Sequence, residues 1–239
     1  MTGYRCFLAG LLLAVPATGT AQVGHAPASS PYRDLTQGRF LAPQVAFFQG
    51  GGGQLGIAPH SGTMLGFRAE LLGNRVVTLG LEVSSGSLER LIVDADDPVD
   101  ARVSGPVDQR LTTLGVNFLL NLTGTKSWRG IAPYAGSGAG LATAPRVAAD
   151  TSGWNFGTRF YFAPTLGVRV FLGRSVYLRA EARSFFTQLK YPTSYRDEPA
   201  DDPGSGDDSH AVLAGRSLKE WTSSGVYTIG IGMPFPWPF

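Results

Sequence analysis

The sequence has 239 residues, with 20 Lys and Arg against 18 Asp and Glu and a formal net charge of +2. Charged residues make up 16% of the chain and hydrophobic residues 43%. The near-neutral balance excludes the strongly basic surface of a nucleic-acid-binding protein, and the hydrophobic content is too high for a disordered chain. The single cysteine, Cys6, excludes a disulfide framework and a cysteine-rich zinc site.

The first 21 residues have the pattern of a cleaved signal peptide. Arg5 precedes an apolar run over 7–15, and small residues follow this run up to Ala21. The run is less than half as long as the about 20 apolar residues that a membrane-spanning helix needs. We therefore expect export with cleavage after Ala21, a flexible lead-in over 22–40 and one folded domain over 41–239.

From residue 42 onward, apolar and polar residues alternate with a period of two, which is typical of β-strands. In the segment that ends the chain, Tyr227, Ile229 and Ile231 share one face, and Thr228 and Gly230 share the other. The alternation predicts eight strands, over 42–53, 62–72, 76–87, 108–121, 131–142, 156–171, 175–190 and 225–235.

The connections between these segments are alternately short and long. The short ones at 73–75 and 172–174 contain the Gly and Asn residues of tight hairpins, and a modest one spans 123–130. The longer ones span 54–61, 88–107, 143–155 and 191–224. An up-and-down barrel in an outer membrane has this arrangement, with short periplasmic turns and long external loops, whereas a β-sandwich has no reason to sort its loops by length.

The polar faces of the predicted strands carry charges of both signs. Side chains fill the interior of an eight-stranded barrel, and burying one sign alone is strongly unfavourable. Mixed signs are therefore what a filled interior requires. The alternative is a secreted, soluble lipid-binding barrel with its polar face towards water. We expect a polar network inside a membrane barrel, formed by Arg68, Glu70, Glu82, Arg159, Arg169, Arg179, Glu181 and Arg183.

Aromatic residues gather at the ends of the predicted strands. Amphipathic rings favour the boundary between lipid and water, and girdles of such rings mark membrane barrels. We expect a girdle from Trp128, Trp154, Phe156, Phe185, Phe186, Tyr191, Trp221, Trp237 and Phe239.

Two segments resemble known barrel motifs. The chain end, with aromatic or apolar residues at alternate positions, resembles the C-terminal assembly signal of bacterial outer-membrane barrels; the matching residues are Met233, Phe235, Trp237 and Phe239. Residues 133–140 read Pro-Tyr-Ala-Gly-Ser-Gly-Ala-Gly and resemble a strand common in the small eight-stranded group that includes OmpA-, OmpX- and OmpW-like proteins.

This resemblance implies an all-β protein, an eight-stranded antiparallel up-and-down barrel in the bacterial outer membrane. It also implies contact with outer-membrane lipid, lipopolysaccharide and the barrel-assembly machinery. Pro234, Pro236 and Pro238 interrupt the terminal pattern, and because proline donates no ladder hydrogen bond we expect strand pairing to end near Met233.

The histidines are the candidates for chemistry. His60–Ser61 and Ser209–His210, the second beside Asp207 and Asp208, are the only adjacent Ser–His pairs, and a Ser–His pair with a carboxylate is the machinery of a hydrolase. Neither pair lies on a predicted strand. The Gly50–Gly53 run lacks the Lys-Ser/Thr pair of a phosphate loop. We expect no catalytic, cofactor-binding or metal-binding residues.

Acidic residues concentrate in the loops 88–107 and 191–224, whereas each shorter connection carries a base. This distribution fits acidic loops outside the cell and basic turns inside. The leading hypothesis is a non-catalytic monomer with a role in envelope integrity or surface interaction. One alternative is a narrow channel for small or apolar solutes, and another is a lipid-modifying hydrolase at the membrane rim.

Overall fold

A computed structural model describes residues 30–35, 38–72, 76–173, 176–205 and 208–235. Within them lie one 3-10 turn, Thr193–Arg196, and two three-residue strands, Tyr32–Asp34 and Lys126–Trp128, that pair with each other. The rest is built from eight long strands, so the predicted all-β class and strand number are confirmed. These strands are β1 (Gly38–Gly50), β2 (Ser61–Leu72), β3 (Val77–Val93), β4 (Val103–Asn121), β5 (Ile131–Ala144), β6 (Gly157–Leu172), β7 (Val176–Lys190) and β8 (Lys219–Pro234).

Each strand pairs antiparallel with its neighbours in sequence, and β8 pairs with β1, which closes the barrel. Following register partners once around the barrel leads from Ala132 to Ala142, ten residues further along β5. A shear of this size tilts eight strands by about 35–45° from the barrel axis. The intermediate partners are Arg169, Arg179, Gly230, Gln44, Gly66, Ser84 and Thr113.

The barrel has polar side chains inside and apolar side chains outside, which is the reverse of the distribution in a soluble protein. Arg68 is fully buried, whereas its outward neighbour Phe67 is 54% exposed. Leu65 and Leu166 are more than 60% exposed, and alternate residues of every long strand follow the same rule. The soluble lipid-binding alternative is therefore wrong, because this barrel presents its large apolar side chains to the surroundings.

The strand ends that short connections join, Leu72 with Val77, Asn121 with Ile131 and Leu172 with Val176, lie at one end of the barrel, which we call the turn end. The strand ends that longer connections join, Gly50 with Ser61, Val93 with Val103, Ala144 with Gly157 and Lys190 with Lys219, lie at the other end, the loop end. β3 and β4 continue further towards the loop end than predicted, and β8 begins earlier. These extensions escaped prediction because outward residues within them, such as Glu89, Ser104 and Lys219, are polar while their backbones still pair.

The lead-in over 22–40 needs correction where the structure describes it. Residues 32–34 pair with the connection between β4 and β5, and β1 begins at Gly38. Backbone pairing orders these residues although their sequence lacks periodicity. The predicted signal peptide and the start of the lead-in lie outside the described residues.

At the C-terminal end, pairing continues beyond Met233. Pro234 pairs with Phe40, and the Phe235 amide donates to the carbonyl of Arg39 at 2.9 Å. Successive amides of an antiparallel strand point to opposite edges, so Pro234 removes no donor from the β1 side, where Phe235 supplies the bond. Trp237 and Phe239 lie outside the described residues.

Among the described residues, no helix is long and apolar enough to cross a membrane.

Candidate functional site

The barrel interior brings together most of the charged residues singled out in the sequence. Seven of the eight are buried and connected by ion pairs: Arg68, Glu70, Glu82, Arg169, Arg179, Glu181 and Arg183. Arg159 lies apart at the loop end, where its guanidinium donates to the carbonyls of Phe156 and Asn155. Its parity matches the interior, but it lies six residues further towards the loop end than Thr165, the register partner of Arg183 on β6.

Glu82 is held by two guanidinium groups. Arg68 donates through Nε at 2.7 Å and also through Nη2. Arg183 donates its two terminal nitrogens to the two carboxylate oxygens at 2.8 and 2.6 Å. Such charge-assisted, two-point pairing fixes both side chains as well as neutralising them.

Glu181 lies on β7, two residues from Arg183. It accepts hydrogen bonds from Arg68 at 2.9 Å through each carboxylate oxygen and from the Tyr134 hydroxyl at 2.8 Å. The Nε of Arg183 also contacts it. Arg68 thus bridges Glu82 and Glu181 across the barrel, which joins β2, β3 and β7.

Glu70 is the third carboxylate, nearer the turn end. Arg179 donates to it at 2.6 Å and the Tyr177 hydroxyl at 2.5 Å, while Arg169 pairs with it at 3.4 Å. An aromatic ring also stabilises Arg169, whose guanidinium lies 4.4 Å from the centre of the Tyr134 ring. Four arginines and three glutamates therefore share this layer.

Gln44, Asn117, Tyr134 and Tyr177 complete the polar layer and were missed in the sequence. Gln44 contacts Arg179, and Asn117 lies 3.4 Å from Glu82. Tyr177 shares inward parity with the charged residues of β7, and Gln44, Asn117 and Tyr134 are buried at inward positions of β1, β4 and β5. Applying the parity rule to neutral polar residues would have found them.

Aromatic side chains close the interior on both sides of the charged layer. Phe40 and Phe171 pack against Tyr177 at the turn end, with ring centres 5.3 and 5.5 Å apart. Phe185 packs on Phe48 and stacks on Tyr161 towards the loop end, at 5.3 and 4.6 Å. The interior is therefore filled at three successive levels.

Glycines on neighbouring strands make room for these rings. A Cβ added at Gly167 would lie 2.4 Å from the Tyr134 ring, and one at Gly232 would lie 2.0 Å from the Tyr177 ring. Between the charged layer and the loop-end aromatics, a cavity of about 20 Å³ remains, bordered by Glu82, Tyr161 and Arg183. This space suits about one water molecule.

The long loops pack over the loop end and form a second core, which we call the cap. It combines inward residues of the strands with apolar residues of every long loop, including Ile57, Ala95, Trp154, Tyr195 and Leu213. Trp154 Nε1 donates to the carbonyl of Lys190 at 3.1 Å, and the Tyr195 hydroxyl donates to the carbonyl of Val93 at 2.7 Å. Burial raises the pKa of Tyr195 to about 12.

One ion pair is buried within the cap. Arg90 contacts Asp150, and its guanidinium lies 5.0 Å from the centre of the Trp154 ring. Burial by itself would raise the pKa of Asp150, but hydrogen bonds from Ser152 and Arg90 hold it below the ordinary value of 3.8. The pair therefore ties the end of β3 to the loop 145–156.

The two acidic loops meet at the surface of the cap. The Val99 amide lies 3.4 Å from the Asp202 carboxylate, and His210 Nδ1 lies 2.9 Å from the Asp202 carbonyl. That carbonyl, with the carboxylates of Asp202 and Asp208, raises the pKa of His210 above 6.5. The sequence indicated two acidic loops, and the structure shows that they touch.

The histidines of the two Ser–His pairs contact backbone carbonyls in the structure. His60 Nδ1 lies 3.0 Å from the carbonyl of Ala58. The Ser209 hydroxyl donates at 2.5 Å to Glu198, not to His210, and this bond lowers the pKa of Glu198. Asp207 lies outside the described residues. Among the described residues, no three His, Cys, Asp or Glu side chains are grouped as metal ligands.

The predicted aromatic girdle is partly wrong. Trp128 and Trp221 are exposed at 45% and 61%, as a girdle requires, but Trp154, Phe156, Phe185 and Tyr191 are buried in the cap. Aromatic residues near strand ends pack inward here because the folded loops offer them an apolar core. Met233 and Phe235 are exposed at 44% and 40%, and their role in assembly stays a prediction.

The chain is similar to several solved structures. Neisserial surface protein A has a TM-score of 0.52 and 14% identity, over 84% of this chain and 99% of that one. OprG of Pseudomonas aeruginosa has a TM-score of 0.47 and 15% identity, over 85% and 99%. Outer membrane protein W of E. coli has a TM-score of 0.45 and 14% identity, over 84% and 99%. No protein-family model and no curated protein matches the sequence.

The likeness to Neisserial surface protein A concerns the fold. The location follows from that fold together with the exposed apolar outer face and the buried ion pairs, because only a lipid surrounding favours this inversion. The chain is an eight-stranded integral β-barrel protein of the outer membrane.

Proposed function

We propose that the protein is a non-conducting, non-catalytic barrel that holds a folded cap at the cell surface for contact with external molecules. The observation that carries this proposal is the filled interior. An aromatic layer, the layer of four arginines and three glutamates, and a second aromatic layer follow one another along the axis.

A channel function would need a continuous aqueous path through these layers. The space beside Arg183 is about 20 Å³, far below what a hydrated solute requires. The ion pairs that cross the barrel, such as Arg68 with Glu82 and Glu181, hold the side chains in place. Opening an aqueous path would require these ion pairs to separate, and each buried charge would then lack a partner.

The cap supports a surface role. Its loops are not extended strings but share one apolar core, so they present a defined outer surface that carries Asp96, Asp97, Asp100 and Asp201 in exposed positions. A cap that keeps this shape when it binds does not pay the conformational entropy that a disordered loop loses when it becomes ordered.

Planar-bilayer recording tests the closed interior. We expect the reconstituted protein to show no steady unitary conductance at any holding voltage that the bilayer tolerates. Steady unitary currents that persist after repeated purification would overturn the non-conducting assignment and favour the narrow channel.

Labelling of intact cells tests the orientation. Asp97→Cys at the loop end and Lys126→Cys at the turn end are both exposed positions, and Cys6 is the only native cysteine. A membrane-impermeant maleimide should label the first variant on intact cells and the second only after the outer membrane is opened. The reverse pattern would place the cap in the periplasm.

A further inference from the structure

Two pairs of like charges lie on the outward face of the barrel near its loop end. Lys190 of β7 and Lys219 of β8 are register partners, and we call them the lysine pair. Glu89 of β3 and Asp108 of β4 are also register partners, and we call them the acidic pair. All four side chains are exposed. Like charges in directly opposed positions destabilise a sheet, so each pair is unfavourable within a single barrel.

Neither pair is neutralised within its own chain. No ion pair among the described residues involves a member of the lysine pair or of the acidic pair. In the interior, by contrast, every glutamate of the charged layer pairs with at least two arginines. The two outward pairs are therefore available to charged groups outside the chain.

The lysine pair and the acidic pair lie on diametrically opposite walls. Four strand positions separate β7 from β3, and β8 from β4, in a closed barrel of eight long strands. A second copy that stands beside the first in the same orientation can therefore place its acidic pair against the lysine pair of the first. Such a contact is heterologous, and because its two surfaces are half a turn apart it extends into an open row instead of closing into a ring.

The two pairs also lie at the same height along the barrel axis. Register partners lead half a circuit from Ser184 on β7 to Glu89 on β3; the partners between them are Gly225, Gln49 and Ser61. A full circuit in this direction rises ten residues towards the loop end, so half a circuit rises about five. Glu89 is therefore level with the end of β7, where Lys190 lies, and the register partners of these two residues are level in the same way.

The outward residues below the two pairs are small or polar on both walls. Ser85 and Thr112 are register partners on β3 and β4, with their hydroxyls 2.9 Å apart, and Arg110 donates to Ser85 at 3.1 Å. Ser184 and Gly225 are register partners on β7 and β8, and a Cβ added at Gly225 meets nothing nearer than 3.7 Å. In membrane helices, small residues let two surfaces approach closely and hydroxyls bond across the contact. The same chemistry here allows two barrel walls to approach each other.

We propose that the protein associates with itself side by side in the membrane, with the lysine pair of one copy against the acidic pair of the next. Repetition of this contact gives open rows. Each like-charged pair then gains the opposite charges that its own chain does not supply, and charge complementarity determines which walls meet. The proposal replaces the monomer expected from the sequence, and it depends neither on which end of the barrel faces outward nor on what the cap contacts.

The test measures association of the full chain in phosphatidylcholine vesicles by energy transfer between donor-labelled and acceptor-labelled copies. The labels are attached at Thr125→Cys, an exposed position of the turn end, in a chain with Cys6→Ser. The zwitterionic lipid offers neither charged pair a net-charged competitor. We expect energy transfer above the level of random encounter, falling as the salt concentration is raised to about 1 M because salt screens exposed charges. Transfer at the random level in low salt would overturn the proposal.

Charge reversal identifies the surfaces that meet. Lys190→Glu with Lys219→Glu makes both walls acidic, and Glu89→Lys with Asp108→Lys makes both walls basic. Each variant alone should associate with itself roughly ten-fold more weakly than the wild type, because like charges then face each other across the contact. A mixture of the two variants should recover transfer between them, since acidic and basic walls meet again. A mixture that associates no better than either variant alone would refute the pairing of these walls.

Cysteine cross-linking tests the row. Ser87 and Gln188 lie one outward step below the acidic pair and the lysine pair. With a bifunctional thiol reagent, a chain that carries both Ser87→Cys and Gln188→Cys should form a ladder of multimers, and a chain with either substitution alone should stay monomeric. Dimers of a single-cysteine chain would indicate a symmetric contact and overturn the row.

The control for charge reversal is Lys126→Glu with Arg129→Glu, which reverses two exposed cations at the turn end. It should keep the energy transfer of the wild type, and a loss as large as that of the wall variants would show that net charge, not the two walls, governs association. A heat-dependent shift in gel mobility confirms that each variant is folded before association is compared.

Discussion

In the barrel interior, Arg68, Glu82 and Arg183 fill space by ion pairing, whereas in the cap directly above them Trp154, Tyr195 and Leu213 fill space by apolar packing. The two regions share side chains such as Phe48 and Phe185 and continue the same strands. Their chemistry differs because their surroundings differ.

Around the interior, the outward positions must be apolar to meet lipid, and the strict alternation of a strand leaves polar residues for the inside. Around the cap, water meets the outer surface, so polar residues such as Asp96 and Asp97 point outward and apolar ones point inward. The polarity of the core therefore reverses within one molecule as the surrounding solvent changes. Removing a charge should therefore destabilise the barrel interior most, and removing an apolar side chain should destabilise the cap most.

The largest expected effect follows from breaking the interior pairing. Glu82→Leu leaves Arg68 and Arg183 without their shared carboxylate, and breaking a buried pair costs about 3–5 kcal/mol. We expect the urea midpoint of barrel unfolding in lipid vesicles to fall accordingly. Glu89→Gln on the same strand, at an exposed position, should change stability by less than about 0.5 kcal/mol. An unchanged midpoint for Glu82→Leu would show that the ion pairs do not hold the interior.

The second effect concerns the cap alone. Trp154 is 2% exposed, and replacing a buried tryptophan by alanine costs about 3–5 kcal/mol. Because the cap lies beyond the closed ladder, we expect Trp154→Ala to speed hydrogen exchange and proteolysis in 145–156 and 191–218 while the barrel unfolds at its original midpoint. Trp221→Ala, at an exposed position, is the control. If the barrel loses stability together with the cap, the two regions form one cooperative unit.

A smaller effect is expected at the aromatic–glycine contacts inside the barrel. Gly167→Ala puts a Cβ 2.4 Å from the Tyr134 ring, and overpacking of this kind costs about 1–3 kcal/mol. Gly225→Ala, where the added atom has room, is the matched control and should cost nothing. Equal unfolding midpoints for both variants would contradict the proposed fit between ring and glycine.

The smallest effect is the acid sensitivity of the cap. The pKa of Asp150 is lower in the folded protein than its ordinary value of 3.8, so its contribution is complete above that pH and is lost as the pH falls through the folded-state pKa. Proteolysis of 145–156 by an acid-active protease should therefore accelerate below about pH 3.8. Asp150→Asn should loosen the loop already at pH 7 and remove this step, whereas Asp97→Asn should retain it.

Local alternation was enough to place the eight strands and most of the interior charges. A side chain's face is set by its parity along the strand, which is a property of the chain itself. Arg68, Glu70 and Glu82 were found in this way, and the same rule extended to uncharged residues would have found Gln44 and Tyr177. The N-terminal pairing of 32–34 was not predictable, because its partner is distant in sequence.

The sequence by itself determined the barrel, since a repeating two-residue pattern and alternating loop lengths leave few closed solutions. Only the tertiary structure decided which charges meet, that Trp154 and Tyr191 turn inward, that the two acidic loops touch, and that Lys190 faces Lys219. The physical reason is that parity assigns a face but not a height, and the height of each residue depends on the ten-residue shear accumulated around the closed sheet.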